Sequence, residues 1–389
     1  MKDYTRKSGF ILSLTAMLII AACGGGNTAE STNSDVNTSS NNNAEAPANP
    51  RSQTGDSSWD AVVEAAKKEG AINIITHPGI LEQQWVAEFQ KAYPEIKVEH
   101  SGIRPSDAGP KVVSEQQNNQ FLYDVMVAAT SNMTSVMAPA GTFVEIDSII
   151  KSLPNAVEDK WYGGVDFYSQ NLTDKKYTFI HAMELYSGAF INKEVKGSEN
   201  FKGIEDLVNP EFKGKIIITE PNVPAHGSLT LTGVLQTKGE DFLKKLYAEQ
   251  DVTFGDVVLS TNWLGDGRVV VAVGADKSRI IELQKAGLCT KCEPIIYEGM
   301  PTLSRGFSFF KNAPHPNASK VFMNWLMSKE GGEAFSKNLS LNSRRTDVEP
   351  YSTPINWDKL DGYVLNGTES GQPILDKVMN LYNEVQKGK

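Results

Sequence analysis

The stretch Lys311–Asp347 has the sequence KNAPHPNASKVFMNWLMSKEGGEAFSKNLSLNSRRTD, and its order of residues predicts a loop followed by two helices. Pro316 is typical of the first position of a helix. The apolar side chains after it recur at helical spacing: Val321, Phe322, Trp325 and Leu326. The first helix therefore has one apolar face that must be buried. We predict that the second helix begins after Gly331-Gly332.

The whole run, from its Pro-His-Pro entry through the aromatic helix to Ser343–Asp347, resembles the C-terminal segment of the extracellular solute-binding proteins of ABC importers. The nearest branch is the one that contains the ferric-iron-binding proteins, and the resemblance covers about residues 59–350. It implies the type II periplasmic-binding-protein fold, an α/β protein of two lobes. Each lobe is expected to be a mostly parallel sheet flanked by helices, and two crossover strands are expected to join the lobes.

The same resemblance implies a function in transport. A substrate-binding subunit captures a small-molecule solute by hinge closure and delivers it to an ABC permease and its ATPase. We expect a monomer that has no cofactor and no catalytic activity. The alternatives from other classes are a bilobal enzyme and a sensory lipoprotein.

Composition agrees with this class of protein. The chain has 389 residues, of which 40% are hydrophobic, and this is enough for two sizeable cores. Its net charge of −9, without a dense basic run, excludes the phosphate-neutralising surface that nucleic-acid binding requires. The sequence also lacks a Gly-x-Ser-x-Gly elbow, a His-Glu-x-x-His pair, a P-loop and a Gly-x-Gly-x-x-Gly turn, which argues against an enzyme.

The N-terminus has the features of an export signal. A positively charged start precedes the apolar run Phe10–Ile20, which is short for a membrane span. The sequence Ile20-Ala21-Ala22-Cys23 resembles the lipobox of bacterial lipoproteins, which implies that Cys23 is lipidated and that the exported chain is anchored to the cell membrane. An ordinary secretory signal is the alternative. Residues 24–58 are rich in Asn, Ser, Thr and Gly, and we expect them to form a disordered tether.

Short apolar strands alternate with amphipathic helices after the tether, which predicts βαβ units. Ala71–Ile75 is almost entirely apolar, as strands buried on both faces of a parallel sheet are. The family pattern implies a first lobe of residues 59–185 and 300–389 and a second lobe of residues 186–299. Tyr186–Asn192 is expected to be a crossover strand. We expect the C-terminal helices, including Pro373–Gln386, to pack on the first lobe.

Binding sites in α/β proteins lie at the carboxyl ends of the parallel strands, where helix N-termini present free N–H groups. This rule selects one group of polar side chains from each lobe for a shared cleft. In the first lobe and at the crossover they are His77, Arg104, Ser131, Asn132 and Tyr186. In the second lobe and on the return to the first they are Asn222, His226, Lys277 and Arg305. For each, the simpler alternative is a helix cap, a solvated charge or hinge packing.

The residues after the strand Val269–Val273 depart from the ferric-binding pattern. Members of that branch carry a Tyr-Tyr pair there, whereas this chain has Gly274-Ala275-Asp276-Lys277-Ser278. We therefore expect no metal at the site. The available His, Arg, Lys, Ser and Asn donors favour a small organic anion. An iron(III) or iron-chelate site with different ligands is the alternative.

Cys289 and Cys292 form the one cysteine pair after the signal sequence. In an exported chain their spacing favours a short-loop disulfide or two thiols, and a redox site or half of a zinc site are the alternatives.

Overall fold

The computed structural model describes residues 57–387, and within this range the strands form two separate sheets. The predicted signal sequence with Cys23 lies outside the described residues, as does the predicted tether up to residue 56. Ser57 and Ser58, the last two residues of that tether, instead begin a helix. No helix between residues 57 and 387 has both the length and the apolar composition needed to cross a membrane.

The strands of the described region are numbered in chain order. They are β1 (Ala71–Thr76), β2 (Lys97–Gly102), β3 (Val125–Ala129), β4 (Phe179–Leu185), β5 (Ala189–Asn192), β6 (Ile216–Thr219), β7 (Thr253–Gly255), β8 (Val271–Val273), β9 (Cys292–Pro294), β10 (Thr302–Phe309), β11 (Asn342–Ser343) and β12 (Leu365–Asn366). The first sheet has the order β11-β4-β10-β3-β1-β2, with β12 paired to β10, and the second has the order β7-β6-β8-β5-β9. β1 is parallel to β2 and β3, and β6 is parallel to β7 and β8. In contrast, β10 is antiparallel to β3 and β4, β11 to β4, and β5 to β8 and β9, so both sheets are mixed, which corrects the prediction of mostly parallel sheets.

The helices are numbered in the same way. They are α1 (Ser57–Glu69), α2 (Ile80–Ala92), α3 (Pro105–Gln117), α4 (Thr130–Asn132), α5 (Asp147–Lys151), α6 (His226–Lys238), α7 (Glu240–Glu249), α8 (Val257–Gly265), α9 (Lys277–Lys285), α10 (Pro316–Leu326), α11 (Lys329–Leu339) and α12 (Gln372–Lys387). A five-residue π-helical turn follows α4, and short 3₁₀ turns occupy several loops.

The core of the first lobe lies between its sheet and the helices α1, α2, α10 and α11. The apolar face predicted for α10 is buried there, since Val321, Phe322, Trp325 and Leu326 are at most 3% exposed. Their aromatic rings meet those of α2 edge to face, with the centroids of Phe89 and Phe322 4.9 Å apart. Such pairs add to the stabilisation from buried area.

The second helix of the quoted stretch begins earlier than predicted. α11 starts at Lys329 and is capped by Ser328, whose Oγ accepts a hydrogen bond from the Gly331 N–H at 3.1 Å. Gly331-Gly332 therefore lies inside the first turn of the helix. A Cβ on Gly331 would lie 2.0 Å from the carbonyl oxygen of Trp325, so the glycine serves the close approach of α11 to the end of α10.

The C-terminal helix packs on the second lobe, which corrects the prediction that it packs on the first. Val378, Leu381 and Tyr382 of α12 are buried in the same cluster as Leu231 of α6 and Leu246 of α7. The spacing of apolar residues in α12 shows that one face must be buried, but it does not show which lobe covers that face.

Within residues 57–387, the chain passes between the two lobes at three places. Two are the connections from β4 to β5 and from β9 to β10, and these include residues 186 and 300, where we place the lobe boundaries. The crossover strand expected from Tyr186 begins at Ala189, because Tyr186 itself lies in the connection. The third passage runs from β12, in the first sheet, to α12, which packs on the second lobe.

Candidate functional site

The carboxyl ends of the parallel strands meet at one edge of the first sheet. β1 and β2 end in register, with Thr76 opposite Gly102, and His77 follows β1 directly. In the neighbouring antiparallel strand β10, Arg305 lies opposite Ala129, the last residue of β3. The fold therefore brings two of the predicted residues to the same edge.

Three other predicted residues lie within electrostatic range of His77. The ring is half-buried, and this burial is the main reason that its pKa is lowered to about 4. The positive charges of Arg305 and Arg104 and the ring of His226 lower the pKa further, so all three lie within electrostatic range. His226 belongs to the second lobe, so the group spans both lobes. The His77 imidazole is neutral at pH 7.

Arg305 has donor capacity that the fold does not use. Its Nε is buried and has no hydrogen-bond partner within the described part of the chain. The carboxyl groups of Glu82 and Glu184 are within electrostatic range, but neither forms an ion pair with Arg305 among residues 57–387. A buried donor without a partner is costly, so this guanidinium is available for a bound molecule.

Tyr186 and His226 join the crossover to the start of α6. The Tyr186 hydroxyl lies 2.9 Å from Nδ1 of His226. Burial raises the pKa of Tyr186 and lowers the pKa of His226, so both groups are neutral at pH 7 and form a hydrogen bond without charge. This bond fixes the His226 ring at the edge of the second sheet.

Two glycines bring the N-terminus of α6 against the strand ends of the second lobe. A Cβ on Gly227 would lie 1.8 Å from the carbonyl oxygen of Thr219, the last residue of β6. Gly274, directly after β8, has a φ of +88°, and a Cβ there would lie 2.7 Å from the Cα of Gly227. Glycine is required at both positions. The partial positive charge of the α6 N-terminus is thus placed at the same edge as His226.

Three of the predicted site residues are exposed to solvent. Lys277 is exposed at the start of α9, and its charge reaches Glu184. Arg104 is exposed directly before α3. Asn222 is also exposed, and its Nδ2 donates to Oε2 of Glu220 at 3.1 Å. Asn222 has no bond to the group around His77 among the residues that the structure describes.

Ser131 and Asn132 lie in α4, directly after β3, and both are half-buried. Oγ of Ser131 and Oδ1 of Asn132 are buried and lack hydrogen-bond partners among residues 57–387. The Asn132 side chain rests against Gly109 of α3, where a Cβ would lie 2.5 Å from Oδ1. Both polar side chains therefore keep unused hydrogen-bonding capacity next to the strand end.

Sequence reasoning missed the carboxyl groups of Glu82 and Glu184. Burial raises the pKa of both, and the charge of Arg305 opposes the rise. Glu82, in the first turn of α2, accepts a hydrogen bond from Nε1 of Trp85 at 2.6 Å. Glu184 lies in β4, two residues before the predicted Tyr186. An acidic residue near the carboxyl end of a strand whose other residues, apart from His181, are apolar is the signal that would have identified it.

The cysteine pair lies at the other end of the second sheet. Cys292 begins β9 and lies opposite Asn192, at the end of β5 away from Tyr186. The sulfur atoms of Cys289 and Cys292 are bonded as a disulfide. Between residues 57 and 387, no three His, Cys, Asp or Glu side chains are grouped closely enough to hold a metal ion.

Comparison with protein families and curated proteins gives two matches. The family model described as bacterial extracellular solute-binding protein matches residues 84–359, more than half of the chain. An uncharacterized protein of Haemophilus influenzae strain Rd is 29% identical over 188 residues, which are 44% of this chain and 53% of that protein. The chain thus spans about half the length of the curated relative that it matches.

Several solved structures share the fold at low sequence identity. FutA of Trichodesmium, in complex with iron and citrate, is 17% identical with a TM-score of 0.59, over 81% of this chain and 99% of that one. Ferric iron-binding protein A of Mannheimia haemolytica, in an open conformation, is 13% identical with a TM-score of 0.61, over 82% and 98%. AfuA of Actinobacillus pleuropneumoniae, with fructose-6-phosphate bound, is 16% identical with a TM-score of 0.55, over 82% and 99%. These likenesses confirm the predicted two-lobed α/β fold.

Proposed function

The chain belongs to the family of bacterial extracellular solute-binding proteins, and we propose that it captures one small organic anion between its lobes and delivers it to a membrane permease. It is the substrate-binding subunit of an ABC-type importer. Binding closes the two lobes over the solute, and the closed form is presented to the permease. No bond of the solute is made or broken in this process.

The observation that carries the anion proposal is a set of positive side chains without partners. Arg104, Lys277 and Arg305 make no side-chain hydrogen bond or ion pair in the described part of the chain. Arg104 and Arg305 nevertheless interact electrostatically with His77, and Arg305 and Lys277 interact electrostatically with Glu184. An anion would supply the acceptors that these donors lack, and hydrogen bonds to charged groups are the strong ones.

Helix N-termini add to the positive potential. α2 and α3 follow the ends of β1 and β2, while α6 and α9 follow the ends of β6 and β8. Because the N-terminus of a helix carries about half a positive charge, four such ends favour an anion at this edge.

Each side chain has a role in the proposed complex. Arg305 and Arg104 hold the anionic group from the first lobe, and neutral His77 donates a hydrogen bond to it. Lys277 and the His226–Tyr186 pair contact the solute from the second lobe. Ser131, Asn132 and Asn222 supply further polar contacts at the rim. A solute held from both lobes binds the closed arrangement better than the open one, which is what drives closure.

The delivery and location parts of the proposal rest on the family and on the N-terminal sequence. Lipidation of Cys23 would hold the protein at the outer face of the cell membrane, close to the permease and its ATPase. Confinement of this kind raises the effective concentration of a binding partner. We propose that the protein acts there as a monomer, without a cofactor.

Thermal-shift and calorimetric measurements test the anion proposal with phosphate, citrate, propylphosphonate, sugar phosphates and iron(III). We expect at least one anion to raise the melting temperature. The variant Arg305→Gln should bind that anion at least tenfold more weakly, because a hydrogen bond to a charged group is worth about 1.5–3 kcal/mol. Arg268→Gln is the matched control, since Arg268 is exposed before the amino end of β8 and pairs with Asp266. Stabilisation by iron(III) or a polyamine, and by no anion, would contradict the proposal.

A further inference from the structure

Glu184 is an acidic side chain placed among the positive groups of the cleft. In the antiparallel pair of β4 and β10, Glu184 lies opposite Leu303, and Ala182 lies opposite Arg305. Opposite residues share a face of a sheet, as do residues two apart along a strand. Glu184 and Arg305 therefore project from the same face as diagonal neighbours.

The second lobe approaches the same carboxyl group. The Tyr186 N–H donates to the carbonyl oxygen of Pro301 at 2.8 Å, which continues the strand pairing from Glu184 toward the crossover. The charge of Lys277, at the start of α9, reaches Glu184 from the second lobe. Glu184 thus lies within electrostatic range of one cation from each lobe, Arg305 and Lys277.

The fold does not use the Glu184 carboxyl group for its own stability. Glu184 has neither a hydrogen bond nor an ion pair through its side chain within residues 57–387, although Arg305 and Lys277 are both in range. Glu82 provides the contrast, because Trp85 donates to its carboxyl group and fixes it in the core of the first lobe. Glu184 is half-buried, so its carboxyl group is partly dehydrated.

We infer that the solute is an anion that also carries a hydrogen-bond donor, a hydroxyl or an ammonium group, and that Glu184 accepts from this donor. The anionic group lies toward Arg305, and the donor lies toward Glu184. Because the two side chains are neighbours, only a few bonds separate the two groups of the solute. An anion without a donor would be repelled by the carboxylate, so Glu184 determines specificity. This inference rests on the proposed function.

Matched pairs of compounds test it by calorimetry on the full chain. One pair is 3-aminopropylphosphonate and propylphosphonate, and the other is glycerol 3-phosphate and propyl phosphate. We expect wild-type protein to prefer the donor-bearing member of at least one pair by about tenfold, the size of a hydrogen bond to a charged group. Glu184→Gln should lose the preference for the ammonium compound and bind both donor-free anions more tightly, because the repulsion is removed.

Two further variants provide a second test of the role of Glu184 and a control. Glutamine still accepts from a hydroxyl group, so a preference for glycerol 3-phosphate should survive in Glu184→Gln and disappear in Glu184→Leu. Glu88→Gln removes an exposed carboxylate that pairs with Lys91 on α2, at 2.8 Å, and should leave all affinities unchanged. A change of opposite sign for the two members of a pair cannot arise from a general loss of stability.

The outcomes separate this inference from the proposed function. Equal binding of both members of each pair, or a preference that Glu184→Gln and Glu184→Leu both retain, would overturn the inference and leave the anion proposal standing. Binding of sulfate, when none of the four compounds binds, would also overturn the inference and leave the anion proposal standing. Absence of binding by every anion would refute the proposed function itself.

Discussion

At the scale of single residues, His181 is a titratable side chain whose positive charge this fold opposes. It is 2% exposed, and its ring packs against Phe335 and Phe307 with centroids 4.5 and 5.6 Å away. Neither ring nitrogen has a hydrogen-bond partner within the described residues. Burial, followed by the charges of Arg305 and Arg344, lowers its pKa to about 3.

We predict that acid destabilises the protein through His181. The folded pKa lies below the ordinary value of 6.5, so the stability due to neutral His181 is complete above pH 6.5 and is lost as the pH falls toward 3. The loss is roughly 1.4 kcal/mol per pH unit. Urea unfolding at pH 7 and pH 5 should show wild-type protein losing about 2 kcal/mol more than His181→Leu. Equal losses would contradict this prediction, since His77 titrates in both proteins.

The strand-end rule selects residues that stand directly next to a strand terminus. His77 and Arg305 lie together because the carboxyl ends of the strands can be located from apolar runs and loops. Glu184 was missed because it lies inside β4, and its face depends on the pairing with β10. Asn222 also follows a strand end, and the structure leaves its side chain exposed, which the sequence did not reveal because the path of a loop between a strand and a helix is not encoded in a periodic pattern.

At the scale of elements, the junction of α10 and α11 depends on one of two adjacent glycines. We predict that Gly331→Ala lowers the free energy of unfolding by about 1–3 kcal/mol, the usual cost of overpacking, because its Cβ would lie 2.0 Å from the backbone oxygen of Trp325. Gly332→Ala is the matched control. Its Cβ would lie 3.4 Å from Cδ of Arg345, a side-chain atom, and alanine favours a helix by up to about 1 kcal/mol.

Urea unfolding of the two alanine variants measures the difference. Gly332→Ala should be as stable as wild-type protein or slightly more stable, while Gly331→Ala should be clearly less stable. Similar stabilities for the two variants would show that the close approach of α11 to α10 is not what requires the glycine.

Helices whose apolar residues recur at helical spacing could be predicted, whereas the elements that they pack against could not. The face of α10 was predicted residue by residue, because its aromatic and aliphatic side chains recur at helical spacing. The predicted start of α11 was wrong, because a pair of glycines is typical of a break between two helices and also of close packing between them. The amphipathic face of α12 was equally clear, but its partners α6 and α7 are more than 100 residues away in sequence.

At the scale of the whole molecule, the passage from β12 to α12 adds a connection between the lobes. We call residues 365–371 the strap. Its Asn366 Nδ2 donates to the carbonyl oxygen of Leu229 and to Oγ1 of Thr232 in α6, both at 3.2 Å. Its Gly367 carbonyl oxygen accepts from Thr134, in the π-helical turn after α4, at 2.9 Å. The strap therefore joins this turn to the helix that begins with His226.

We predict that Asn366→Ala loosens the hinge. The variant loses two hydrogen bonds between the strap and α6, each worth about 0.5–1.5 kcal/mol, and these bonds favour the lobe arrangement seen here. Asn356→Ala is the matched control, because among residues 57–387 the Asn356 side chain bonds only the N–H of Asp358, within its own turn.

Spin labels at the exposed positions Gln84 on α2 and Glu249 on α7 report the separation of the lobes by pulsed dipolar spectroscopy. The distance distribution should broaden in Asn366→Ala and remain that of wild-type protein in Asn356→Ala. Because a difference of 1.4 kcal/mol changes a two-state population tenfold, loss of one or both bonds is large enough to be detected. Identical distributions in the two variants would mean that the β4–β5 and β9–β10 connections alone set the hinge, and that the strap follows their motion.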